Sequence, residues 1–121
     1  MAKKILIVDD EVDFTEFLKT ALEERGYRAF EANNAVEGGL YLSSEKPDLI
    51  IMDIRMYGIN GLEACKAIRR NPDTKHITIF VVSGMVSEED TNRALDAGAN
   101  QYFTKPLNLE KFLKAVEDAL K

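Results

Sequence analysis

The amino-acid sequence predicts an α/β protein built on a parallel sheet with helices on both faces, and three observations lead there. Two short apolar runs, Ile5-Leu6-Ile7-Val8 and Leu49-Ile50-Ile51-Met52, each stop at carboxylates, Asp9 and Asp10 after the first and Asp53 after the second. Runs this short do not make a buried helix, and strands apolar at successive residues are those covered on both faces, as in parallel sheets. Strand-like and helix-like segments then alternate five times, the pattern of a layered α/β domain. Finally, 121 residues with 45% hydrophobic and 31% charged residues have the size and composition of one globular domain, expected to occupy residues 1–121.

The elements follow in order. After Ile5–Val8, the residues Phe14, Phe17, Leu18, Ala21 and Leu22 recur at helical spacing, and Gly26 is placed to end that helix in a positive-φ conformation. Tyr27–Ala32 alternates weakly and reads as a strand. Asn34 with Glu37 three residues on opens a short helix to about Ser44, a capping pattern that Asn60 and Glu63 repeat before Leu62, Cys65 and Ile68. The third helix is expected to end near Asn71-Pro72-Asp73. Ile77–Val82 is a fourth strand that delivers Ser83 and Gly84. Ser87 with Asp90 caps a helix whose buried face is expected to carry Ala94 and Leu95, closed by Gly98. Asn100–Thr104 is a fifth strand delivering Lys105-Pro106, and Leu109, Phe112, Leu113, Val116 and Leu120 make the last helix amphipathic.

Composition narrows the function classes. A net charge of −5 argues against a sequence-independent nucleic-acid surface, which relies on clustered Lys and Arg. The lone Cys65 cannot form an internal disulfide and reads as a core thiol, and His76, the only histidine, reads as a solvated turn residue. The N-terminus runs into a strand without a signal-peptide core, and no apolar segment is long enough for a bilayer, so a soluble, cytoplasmic protein is expected.

Strand ends carry the chemistry. In a parallel sheet the carboxyl ends share one rim, where ligands bind, so Asp9, Asp10, Asp53, Ser83 and Lys105 are expected to meet there. Two like charges about 4 Å apart cost roughly 4 kcal/mol at an effective dielectric of 20, so the acids call for a cation. Lys105 supplies one positive charge, and oxygen-only ligands favour Mg²⁺ or Mn²⁺ over zinc. A carboxylate beside a hard cation, a hydroxyl and a lysine suits phosphoryl transfer onto Asp53, with Asp10 anchoring the metal and Ser83 and Lys105 each holding a phosphoryl oxygen.

Taken together, Ile5–Glu11 (ILIVDDE), Leu49–Arg55 (LIIMDIR), Gly61-Leu62-Glu63, Val82-Ser83-Gly84, Ala97-Gly98-Ala99 and Tyr102–Pro106 (YFTKP) make the chain resemble, over essentially its whole length, the receiver domain of bacterial two-component response regulators. The resemblance implies a flavodoxin-like (βα)5 fold of strand order 2-1-3-4-5, an order the chemotaxis receiver is known to have. It implies phosphorylation of Asp53 by the phosphohistidine of a sensor histidine kinase or phosphotransfer protein. Mg²⁺ would be held by Asp10, Asp53 and the backbone carbonyl of Arg55, with Asp9 assisting through water. Ser83 and Lys105 match the phosphoryl-binding positions, Ser83 and Tyr102 the switch positions, and the Lys105–Pro106 bond is expected to be cis. The partners implied are that kinase and a downstream protein or output domain; from charge and hydropathy no direct nucleic acid or membrane contact is expected, and the chain is expected to be a monomer or phosphorylation-dependent dimer. Tyr57 stands where many receivers have proline, which would leave that loop freer. Arg55 and Met85 lie two residues beyond Asp53 and Ser83, where their bulk is expected to shield the acyl phosphate and slow its loss.

Rival functions are weaker. A haloacid-dehalogenase-type phosphatase wants a second Asp where Arg55 stands, and a nucleotide-binding module wants a Gly-rich loop where Asp9-Asp10-Glu11 would repel phosphate. A degenerate receiver acting only as an interaction module conflicts with intact acidic and lysine positions. The expected protein is not an enzyme in the ordinary sense, catalysing only its own phosphorylation and dephosphorylation.

Overall fold

The computed structural model describes residues 2–56, 59–84 and 87–121, with the backbone alone at residue 59. Five strands, β1 (Lys4–Val8), β2 (Arg28–Ala32), β3 (Leu49–Met52), β4 (Thr78–Ser83) and β5 (Gln101–Thr104), pair in parallel in the order 2-1-3-4-5. Between them run α1 (Val12–Glu24), α2 (Ala35–Glu45), α3 (Gly61–Arg70), α4 (Glu88–Ala97) and, last, α5 (Leu109–Ala119). This is the flavodoxin-like (βα)5 architecture.

Two-sided burial explains the continuous apolar runs. Leu6, Val8, Ile50, Met52, Ile79 and Val81 form one layer with side chains of α2, α3 and α4, Cys65 and Ala94 among them. The alternate residues Ile5, Ile7, Leu49, Ile51, Phe80 and Val82 form the other layer with Leu18 and Leu22 of α1 and Phe112, Leu113 and Val116 of α5. Cys65 is a buried thiol, its pKa pushed up to about 11 by burial against a smaller opposing effect of the Arg69 charge. His76 is exposed.

The local signals hold at the caps. Asn34 Oδ1 accepts from the Glu37 amide at 2.9 Å, Asn60 Oδ1 from the Leu62 amide at 3.0 Å, and Ser87 Oγ from the Asp90 amide at 3.1 Å. Gly26 adopts φ +89° just past α1. Two helix faces depart from expectation. Phe17 is 52% exposed and Leu95 is 42% exposed; α1 rests on Thr15, Leu18, Ala21 and Leu22, and α4 on Ala94 and Ala97. A short antiparallel ribbon, Arg55–Met56 against Ile59–Asn60, follows β3 where the sequence reads only as a loop. Tyr57 and Met85, with the expectations attached to them, lie outside the described residues.

At the amino rim of the sheet Arg69 of α3 acts as a clamp. Its Nε donates to the Gly98 carbonyl at 2.9 Å, Nη1 to the carbonyls of Lys75 and Ile77, and Nη2 to Asn100 Oδ1 at 2.8 Å. Asn100 Oδ1 also accepts from the Ile79 amide at 2.8 Å, so one guanidinium ties α3 to the lead-in of both β4 and β5.

Helix α2 is locally weak, because Gly38 and Gly39 sit in its middle. A Cβ added at Gly39 meets nothing within 4 Å. Gly39→Ala is therefore expected to stabilise the domain by about 0.5–1 kcal/mol through helix propensity alone, and a urea midpoint that stays put or falls would contradict this.

Candidate functional site

Strands β1, β3, β4 and β5 each lead into a polar group at the carboxyl end, and continued ladder hydrogen bonding sets the positions of these groups. The Asp9 amide donates to the Ala32 carbonyl at 3.0 Å, the Asp53 amide to the Val8 carbonyl at 3.2 Å, and the Lys105 amide to the Ser83 carbonyl at 2.9 Å. Register therefore places Asp9, Asp53, Ser83 and Lys105 side by side along the carboxyl rim. Asp9, Asp53 and Ser83 are buried, and the Lys105 side chain is mostly so.

Lys105 binds the acids together. Its Nζ lies 2.8 Å from Asp9 Oδ2, 2.7 Å from Glu11 Oε1 and 3.3 Å from Asp53 Oδ2, and 4.4 Å from the centroid of the Phe14 ring. The remaining carboxylate oxygens turn to backbone: Asp9 Oδ1 accepts from the Glu11 amide at 2.9 Å and Asp53 Oδ1 from the Arg55 amide at 3.1 Å. Burial would lower the Lys105 pKa, but hydrogen bonds to Asp9 and Glu11 and the charges of Asp9 and Asp53 outweigh it and hold the ammonium above its ordinary value. The Asp9 carboxyl is raised, chiefly by burial, with Lys105 pulling the other way. The Lys105–Pro106 bond is cis.

Among the described residues, carboxylate oxygens of Asp9, Glu11 and Asp53 lie within 4.8 Å of one another. Three carboxylates against one ammonium leave an excess of negative charge, and a set of oxygen donors without His or Cys fits a hard divalent cation such as Mg²⁺. Glu11 belongs to this cluster although sequence reasoning did not single it out. Asp10, between Asp9 and Glu11 in the chain, is exposed. Arg55 is exposed while its amide engages Asp53.

Ser83 and Tyr102 stand together at the rim's other side. Burial raises the Tyr102 phenol pKa, and the Ser83 hydroxyl acts on it as a hydrogen-bond partner in the opposite sense. Tyr102 is half-buried against the layer of α2, α3 and α4. By contrast, an apolar hollow of about 210 Å³ over the same layer, lined in part by Val8, Gly39, Leu42 and Met52, offers no hydrogen-bonding side chain. The chemistry belongs at the rim.

A doubly covered parallel sheet with an acidic, lysine-bridged pocket at its carboxyl edge defines the class: a flavodoxin-like domain with a cation-ready acidic site. The response regulator receiver domain family matches residues 5–117, and the chain belongs to that family, the receivers of two-component signalling. It is 34% identical over 117 residues to Protein PilH of Pseudomonas aeruginosa, covering 97% of each chain. It is 32% identical over 121 residues to the phosphate regulon transcriptional regulatory protein PhoB of the same organism, covering all of this chain and 53% of that protein. The chain thus spans about half the length of PhoB and of several other curated relatives. Among solved structures, a two-component response regulator from Clostridium difficile superposes with a TM-score of 0.91 at 34% identity, covering 98% of this chain and 95% of that one. The chemotaxis protein CheY4 of Vibrio cholerae gives 0.91 at 27% identity, covering 98% and 99%. Among the described residues, no helix is long and apolar enough to cross a membrane.

Proposed function

We propose that this receiver accepts a phosphoryl group on Asp53 from the phosphohistidine of a sensor histidine kinase or phosphotransfer protein. The observation that carries the reading is the Lys105 ammonium, held between Asp9 and Asp53 at the carboxyl rim. An Asp53 carboxylate oxygen attacks phosphorus, the P–N bond breaks with its electron pair passing to the imidazole nitrogen, and that nitrogen takes up a proton from solvent. Lys105 and the Ser83 hydroxyl each hold a phosphoryl oxygen. Asp10, Asp53 and the Arg55 carbonyl, with Asp9 through water, are the groups that would hold Mg²⁺, which when bound supplies positive charge against the phosphoryl oxygens. The chain catalyses its own phosphorylation and dephosphorylation and no further reaction.

Signalling follows from the Ser83–Tyr102 pair. A Ser83 hydroxyl drawn to the phosphoryl group gives up Tyr102, which repacks on the surface of α4, β5 and α5 and changes what a downstream protein or output domain meets. Moving a two-state equilibrium from 1:99 to 99:1 takes about 5.5 kcal/mol of differential binding, more than one hydrogen bond provides, so Lys105 and the cation contribute as well.

Incubation with acetyl phosphate and Mg²⁺, followed by intact mass, is expected to show one added phosphoryl group that is absent in Asp53→Asn. An adduct that survives that substitution would overturn the assignment.

A further inference from the structure

An ammonium has three N–H donors, and Lys105 gives all three to carboxylates. The longest contact, 3.3 Å, is to Asp53, the acceptor of the proposed reaction; the shortest, 2.7 Å, is to Glu11 at the start of α1. Phe14, one turn along α1, presents its ring to the same nitrogen at 4.4 Å. Two independent contacts from the α1 side thus draw the lysine away from Asp53. We propose that Glu11 is a positioning residue that tethers Lys105 in the unmodified chain and yields it to the phosphoryl group, an inference resting on the phosphoacceptor reading above.

The exposures decide which partner yields. The side chains of Asp9 and Asp53 are 2% and 8% exposed, whereas that of Glu11 is 63% exposed. Breaking an ion pair with a buried carboxylate strands a desolvated charge, but an exposed carboxylate released into water is rehydrated at once. When a phosphoryl oxygen needs a donor, the Glu11 contact is the one replaced. The tether therefore sets a threshold: it weakens Lys105 as a ligand for phosphoryl oxygens until the incoming group outcompetes a solvated carboxylate.

The test uses beryllofluoride, a tetrahedral stand-in for a phosphoryl group on a carboxylate, titrated by calorimetry into the whole chain at saturating Mg²⁺. Glu11→Gln keeps the side chain's size and removes its charge, and is expected to bind beryllofluoride about two- to fivefold more tightly than wild type, the range of a surface ion pair. In a Lys105→Met background the same substitution is expected to change affinity less than about 1.5-fold. Asp13→Asn, which neutralises another exposed carboxylate on α1, controls for net charge and is expected to leave affinity near wild type. With no divalent cation present, the Lys105 ammonium protons are expected to exchange several-fold faster in Glu11→Gln by NMR. Wild-type binding with no gain in Glu11→Gln overturns the tether alone, as does an equal gain in Asp13→Asn or without Lys105. Failure of the wild type to bind beryllofluoride overturns the phosphoacceptor reading and the tether with it.

Discussion

Gly61→Ala is expected to destabilise the domain by about 3 kcal/mol and to displace the backbone that carries Asp53. A Cβ at position 61 would lie 2.6 Å from Ile54 Cα, 2.7 Å from the Asp53 carbonyl oxygen and 2.8 Å from that of Ile54. These are backbone atoms, which cannot turn aside as the end of a side chain can. They are also tied in place, the Gly61 amide donating to the Ile54 carbonyl at 3.0 Å and the Asp53 amide to Val8 at 3.2 Å. Either α3 lifts from the sheet or the Asp53–Ile54 segment moves, and overpacking of this kind costs about 1–3 kcal/mol or more. Urea unfolding measures the first effect and beryllofluoride affinity the second. A variant with wild-type stability and affinity would show that the approach of α3 to β3 is looser than the geometry says.

Phe80→Ala is expected to cost about 4 kcal/mol, a large share of the 5–15 kcal/mol that stabilises ordinary domains. Phe80 is fully buried in the centre of β4, its ring 5.3 Å from that of Phe103 and 6.1 Å from that of Phe112, while those two meet edge-on at 4.8 Å. Removing one ring of three opens a cavity between two strands and α5 that the others cannot close by rotation, because each is held by the next. Phe80→Leu, which keeps most of the volume, is expected to cost less than half as much. Equal losses in the two variants would mean that cavity volume is not what governs the effect.

The parts of this structure that were legible in the sequence are those fixed by neighbours along the chain. An apolar run closed by carboxylates, or an asparagine followed by a helical pattern, carries its own instruction, so β1, β3 and the caps at Asn34, Asn60 and Ser87 could be read directly. The Asn108 cap, which accepts from the Lys111 amide at 3.2 Å, is not legible in the same way because a lysine, and no acidic side chain, stands three residues on. Phe17 and Leu95 were misplaced because helical periodicity gives the width of an apolar stripe, not the angle at which the sheet meets it. Glu11 and Arg69 were missed for a different reason. Their partners, Lys105 and Asn100, lie 94 and 31 residues away, and nothing local distinguishes either side chain from an ordinary surface charge.

The Arg69 clamp gives the two rims of the sheet different sensitivities to salt. It donates to three backbone carbonyls and one side-chain amide oxygen, neutral dipoles packed against the guanidinium, so mobile ions find little opposing charge there to shield. The carboxyl rim is governed by full charges, and the Glu11 contact in particular lies open to solvent, within reach of a Debye atmosphere about 8 Å thick at physiological ionic strength. A rise in ionic strength therefore loosens the carboxyl edge while the opposite edge keeps its grip, leaving the chain with one end that responds to its electrolyte surroundings and another that serves as a fixed reference.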